Sequence, residues 1–152
     1  MKEKMDTLSV EPFQENNLEH YTFRRAMSES EDIAYISRRF LQYLKESEDE
    51  NHISYIVFHE DTLIGYLKVN KEALRKQMVF EYAIHPEHRK KQYATILLNE
   101  ATKHFLDQNP NYEKIKLAIH HYNYASIKVA QKNGYQREKR EDENEIYSYH
   151  RR

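Results

Sequence analysis

The chain has 152 residues, 32% of them charged, with 24 Lys and Arg set against 25 Asp and Glu, and it contains no cysteine. The near-cancelling charge argues against a general nucleic-acid binder, which needs a net basic field, and the missing cysteine excludes disulfides and thiolate-based zinc sites. No apolar run reaches membrane-spanning length, and MKEKMDTLSV lacks the apolar core of a signal peptide, so a soluble cytoplasmic domain with no membrane partner is expected.

Residues 1–6 are polar and expected to fray. TLSVEPF (7–13) suits a first strand that QENN ends. Residues 17–27 read as a short helix. Ser28 and Glu31 form a capping box for a second helix reaching Leu44, with Ile33, Ile36, Phe40, Leu41 and Leu44 on one face. KESEDEN (45–51) is a solvated loop. In HISYIVFHEDTLIGYLKV (52–69) two apolar, β-branched runs flank HEDT, the pattern of an antiparallel hairpin. Gly65 within the second run suggests a bulge or a close backbone approach.

QMVFEYAIHP (77–86) is a further strand, ended by Pro86, and a helix follows it until Asn109 and Pro110. KIKLAIHH (114–121) alternates Ile115, Leu117 and Ile119 on one face. Asn123 caps a short helix, which Gly134 closes in a left-handed conformation. The tail forms a hairpin with its turn near EDEN. The order β-α-α-β-β-β-α-β-α-β-β describes a mixed α/β domain of α+β type, a single unit over residues 1–152.

The helix after Pro86 starts against the usual rule. In HRKKQYATILL (88–98) the residues Ala94, Leu97, Leu98, Ala101 and Phe105 recur at helical spacing, yet Arg89, Lys90 and Lys91 stand at the N-terminus and no acidic residue appears before Glu100. Cations at the positive end of a helix dipole cost a few tenths of a kcal/mol each when nothing is bound. A bound phosphate reverses the sign, because free N–H groups, the dipole and the cations then point at one anion.

The stretch from Val79 to Tyr135, VFEYAIHPEHRKKQYATILL…KIKLAIHHYNYASIKVAQKNGY, resembles the core of a GNAT-type N-acetyltransferase. The resemblance implies a central twisted mixed sheet of about seven strands flanked by about four helices. It implies acetyl-CoA as cosubstrate, with its pyrophosphate on the loop Arg89, Lys90, Lys91, Gln92, Tyr93, Ala94 and on Thr95. In that family the loop reads Arg/Gln-x-x-Gly-x-Gly/Ala, so Gln92 replaces a glycine. Asn123-x-x-Ser126-Ile127 and Lys132-Asn133-Gly134-Tyr135 resemble the second signature, with Asn123 and Ser126 on the cofactor's other side. Gly65 matches a common family glycine. The family's helix tyrosine, a proton donor to the departing thiolate, is replaced by Ala130.

By the same resemblance the acetyl group lies where two parallel strands splay, and the backbone of Tyr82, Ala83 and Ile84 meets the pantetheine arm. Glu81, the one carboxylate in that strand, and His120, at the end of the next, are the candidate acid–base groups. His85, His88, His120 and His121 do not have zinc-signature spacing, and no metal site is expected. The implied activity is direct acetyl transfer to a primary amine: a small molecule, a polyamine or a protein N-terminus. The alternative is a GNAT-fold protein that binds CoA or another ligand without transferase activity. No nucleic-acid partner is expected, and a homodimer stays open.

Overall fold

The computed structural model describes residues 2–13, 51–85, 88 and 92–152. The helices expected between 17 and 44, most of the following loop, Pro86, and the cations Arg89, Lys90 and Lys91 lie outside the described residues.

Among the described residues eight strands form one sheet: β1 (Glu3–Lys4), β2 (Leu8–Pro12), β3 (His52–His59), β4 (Thr62–Glu72), β5 (Gln77–Ile84), β6 (Lys114–His120), β7 (Gln136–Glu141) and β8 (Asn144–His150). Their spatial order is β1-β2-β3-β4-β5-β6-β8-β7. Every neighbouring pair is antiparallel except β5 and β6. Two-residue turns join β3 to β4 and β7 to β8, with Glu60 and Asp142 at positive φ. The parallel pair needs a long crossover, which helix α1 (Tyr93–Gln108) supplies. Helix α2 (Tyr124–Lys132) follows β6. The family-like order of elements is present among the described residues. One strand is extra: Glu3 and Lys4 pair with Val10 and Ser9 instead of fraying.

The core follows from the alternation read in the strands. Val69, Met78, Phe80, Ile115 and Leu117 are buried with Leu97, Leu98, Ala101 and Phe105 of α1. The Phe105 ring lies 5.3 Å from that of Tyr55 and 5.8 Å from that of Phe80. Each such buried aliphatic or aromatic side chain contributes about 1.5–3 kcal/mol relative to exposure. On the other face Phe13, Ile56, Phe58 and Leu63 form a second cluster, with Tyr66 packed against it.

Gly65 serves both purposes expected of it. The β3–β4 register slips between Val57 and Phe58, the signature of a bulge. A Cβ at Gly65 would also press onto the Ala83 carbonyl oxygen, with Ile84 Cα only 3.1 Å away.

Polar contacts help hold α1 in place. The buried Glu100 carboxylate accepts the N–H groups of Thr7 (2.7 Å) and Leu8 (2.8 Å), tying β2 to the helix. Asn109 Nδ2 donates to Phe105 O at 2.7 Å. The Arg151 guanidinium donates to the carbonyls of Leu106, Asn109 and Tyr112, tying the chain's end to the C-terminus of α1 and the turn after it.

Candidate active site

The sheet opens where β5 and β6 part. Their pairing runs from Gln77↔Lys114 to Phe80↔Leu117 and stops there, although β5 continues to Ile84 and β6 to His120. On its other side β5 stays paired with β4 through Gly65↔Ile84. His85 N–H donates to Ile64 O at 2.7 Å, towards β4. Strand alternation therefore turns the backbone groups of Tyr82 and Ile84 to the β6 side and those of Ala83 to β4. Of the three residues expected along the pantetheine arm, Ala83 thus turns its N–H and carbonyl away from the gap.

At the near end of the gap α1 begins with an unusual backbone. Gln92 is the N-cap at φ 61°, ψ 15°, a left-handed conformation, and its side chain makes no capping bond. The first helical bond is Ile96 N–H to Gln92 O at 3.0 Å. The N–H groups of Tyr93, Ala94 and Thr95 consequently precede any helical acceptor. A left-handed residue running into a helix gathers such donors into an anion-binding concavity. The replacement of the family's glycine by Gln92 therefore does not change the backbone to an ordinary right-handed start. Gln92 occupies the conformation that glycine adopts without steric cost.

Neighbouring elements fix this turn. Tyr93 Oη lies 3.0 Å from His59 Nδ1, joining the helix start to the β3–β4 turn. Asn133 Nδ2 donates to Thr95 O (3.4 Å) and Val129 O (2.9 Å), joining the end of α2 to the start of α1. At that end Gly134, at φ 81°, sits in a Schellman arrangement: its N–H reaches Gln131 O (3.1 Å) and Tyr135 N–H reaches Ala130 O (3.0 Å). At the other end of α2, Asn123 Oδ1 accepts the Ser126 N–H at 3.2 Å, so both residues lie at the helix start, just after β6 in the chain. His88 N–H donates to His85 O at 2.8 Å, an ordinary turn.

The two acid–base candidates share a face of the sheet. The β5 residues Met78, Phe80 and Ile84 and the β6 residues Ile115, Leu117 and Ile119 belong to the core packed against α1. Glu81 and His120 alternate with them and fall on the opposite face, one on each strand of the gap. Glu81 stands opposite Lys68 in the β4–β5 register. Desolvation, then the Glu81 charge, pushes the nearby Tyr66 phenol up to about 12.

His120 is already engaged. Its Nδ1 accepts the Tyr122 N–H at 3.2 Å, and its ring stacks on His121 with centroids 4.7 Å apart. Glu143, from the β7–β8 turn, lies 2.8 Å from His121 Nε2 and 4.0 Å from His120 Nε2. The hydrogen bond from His121 is the main cause that holds the Glu143 carboxyl below its usual range. These three side chains form the one His/Asp/Glu cluster of metal-ligating size among the described residues. With Nδ1 of His120 filled by a backbone N–H, the neutral ring carries its proton on Nε2 and offers that face no lone pair. The cluster is a hydrogen-bonded clasp between the end of β6 and the β7–β8 turn.

Sequence reasoning missed Glu143 and His59, and placed Asn133 in a signature without its contacts, because these partners come from sheet register or from helix ends distant along the chain. It also missed one buried phenol. Tyr82 sits on β5 two residues past the last β5–β6 pair, packed against the α1-side core, and its Oη has no hydrogen-bond partner among the described residues. Burial pushes that phenol up to about 12.

A splayed parallel pair beside an uncapped helix start, with a second helix start across the gap, defines a fold that takes an extended ligand with an anionic end. The chain belongs to the GNAT acetyltransferases: the model described as "Acetyltransferase (GNAT) family" matches residues 12–135. It is an N-acetyltransferase of that family, with acetyl-CoA as cosubstrate.

Solved structures share the fold. Campylobacter jejuni N-acetyltransferase PseH in complex with acetyl coenzyme A superimposes with a TM-score of 0.68 at 17% identity, covering 95% of this chain and 99% of that one. A point mutant of spermidine N-acetyltransferase SpeG from Vibrio cholerae gives 0.68 at 19%, covering 95% and 94%. A putative ribosomal-protein-serine acetyltransferase from Vibrio cholerae gives 0.69 at 13%, covering 99% and 98%. No curated protein matches by sequence. Among the described residues no helix is long and apolar enough to cross a membrane.

Proposed function

We propose that this chain transfers the acetyl group of acetyl-CoA directly to a primary amine. The observation that carries the reading is the parting of β5 and β6 after Phe80↔Leu117, next to a helix start whose first N–H groups precede any helical acceptor. The pyrophosphate would rest on the backbone of Gln92, Tyr93, Ala94 and Thr95, with Arg89, Lys90 and Lys91 supplying positive charge. The pantetheine amides would pair with the edge of β5 at Tyr82 and Ile84, and Asn123 and Ser126 would close the other side.

The acceptor amine must be neutral to attack, and it loses a proton as the C–N bond forms. Glu81 supports the role of base, directly or through one water, since an ionised carboxylate accepts protons. His120 is less suited while the Tyr122 N–H occupies its lone pair. With no cysteine in the chain, a thioester enzyme intermediate is excluded, which supports direct transfer. A backbone N–H on the free edge of β5 would stabilise the tetrahedral oxyanion, a contribution of a few kcal/mol in comparable sites.

The similar folds carry names for acceptors as different as spermidine and a ribosomal-protein serine. Identities of 13–19% do not choose among them. The test is an acceptor screen that follows release of free thiol from acetyl-CoA across polyamines, amino sugars and peptide N-termini. Thiol release that depends on one amine class identifies the acceptor. CoA binding without release from any amine would refute the transferase reading.

A further inference from the structure

Cleavage of a thioester leaves a thiolate that needs a donor at the moment the C–S bond breaks. The family's usual donor on α2 is absent, because position 130 is alanine and is wholly buried. The space beside it is not empty of phenols. Tyr82 and Tyr135 both pack into the α1-side core, and Tyr135 is spoken for: its Oη lies 2.7 Å from Thr102 Oγ1. Tyr82 Oη is buried and unpartnered among the described residues. A buried hydroxyl without a partner costs about 1–3 kcal/mol, so the free protein keeps it at some expense.

We propose that Tyr82 donates its phenolic O–H to the sulfur of the cosubstrate, a catalytic contact that takes the place of the missing helix tyrosine. This rests on the acetyl-transfer reading given above. Two placements support it. Tyr82 lies just past the last β5–β6 pair, where the gap begins. Its backbone already faces that gap, which sets its side chain at the gap's helix-covered wall. Its phenol is protonated at neutral pH like any tyrosine, and burial raises its pKa further, to about 12.

The step balances without a further reagent. The amine nitrogen forms the C–N bond and gives its proton to the Glu81 carboxylate. The C–S bond breaks and sulfur leaves as a thiolate with the electron pair, held by the Tyr82 O–H. Both groups then re-equilibrate with water, Glu81 losing its proton and the thiolate gaining one. A hydrogen bond that strengthens as sulfur becomes anionic favours the transition state over the bound thioester, which is the requirement for raising kcat.

The test compares CoA with desulfo-CoA, which lacks only the sulfur. Calorimetry is run on the parent and on Tyr82→Phe above the thiol pKa. The parent is expected to bind CoA about tenfold more tightly than desulfo-CoA, about 1.4 kcal/mol. In Tyr82→Phe that gap should close while affinity for desulfo-CoA is unchanged. Thermal unfolding should show Tyr82→Phe at least as stable as the parent, since the ring stays and an orphan hydroxyl goes. A gap that survives in Tyr82→Phe, or an equal loss for both ligands, would overturn the assignment and leave the proposed function standing. A parent that binds neither ligand would overturn both.

Discussion

Replacing Gln92 with glycine tests the cradle at its most constrained point. At φ 61° and ψ 15° a residue with a Cβ is strained by roughly 1–2 kcal/mol relative to right-handed geometry. Glycine escapes that strain but loses about 0.5–1 kcal/mol of the gain through the greater freedom of its unfolded chain. The net gain for Gln92→Gly is therefore about 0.5–1 kcal/mol, and at this chain length that raises Tm by roughly 1–4 °C. Gln92→Ala is the informative control. It removes the exposed side chain but keeps the Cβ, so it should show no gain. Differential scanning fluorimetry on the three proteins reads the difference, and CoA calorimetry shows whether removing the Cβ also admits the pyrophosphate more closely. A Gln92→Gly protein no more stable than Gln92→Ala would refute the backbone argument.

Gly65→Ala should be severe. The new methyl meets the Ala83 carbonyl and Ile84 Cα, both backbone, so β4 or β5 must shift at the lip of the gap. Urea unfolding should show a loss of about 1–3 kcal/mol, with weaker CoA binding. Glu100→Ala strips the acceptor from the Thr7 and Leu8 N–H groups and should cost about 2–3 kcal/mol in the same assay, whereas Glu100→Gln, which keeps an acceptor oxygen, should lose about half as much. The protein should also weaken in alkali. Burial raises the phenols of Tyr55, Tyr66 and Tyr82 from 10.0 to about 12, so the unfolded chain releases these protons first. Their stabilising effect is complete below pH 10 and fades between pH 10 and about 12. A urea midpoint equal at pH 9 and about pH 11 would contradict this.

Most of the fold was legible because the informative residues are apolar and periodic. Ile115, Leu117 and Ile119 alternate, Leu97, Leu98, Ala101 and Phe105 follow a helical stripe, and the two glycines mark a bulge and a helix end. Residues 3 and 4 were not legible as a strand, since Glu and Lys advertise no buried face and the pairing is made by backbone alone. The left-handed turn at Gln92 was hidden for a related reason. A glutamine carries no preference for it, and the geometry is imposed by how the chain leaves β5 and enters α1. The clasp of His121 on Glu143 spans 22 residues and exists only because β6, β8 and β7 lie side by side. The Glu100 contacts join positions more than ninety residues apart, and Arg151 reaches 39 to 45 residues back along the chain.

Asn133 connects two events that the chain keeps apart. Its amide holds the last turn of α2 and the first turn of α1 at once, so local opening of either end loosens a bond of the other. Ligand that settles on the start of α1 therefore shifts the opening equilibrium at the end of α2 as well. The amides of Gly134 and Tyr135, bonded to Gln131 and Ala130, should exchange their protons more slowly once CoA is bound, although they lie at the opposite end of α2 from its cap. In Asn133→Ala the same amides should exchange at one rate with and without the ligand, which makes a single side chain the conduit between cofactor and helix end.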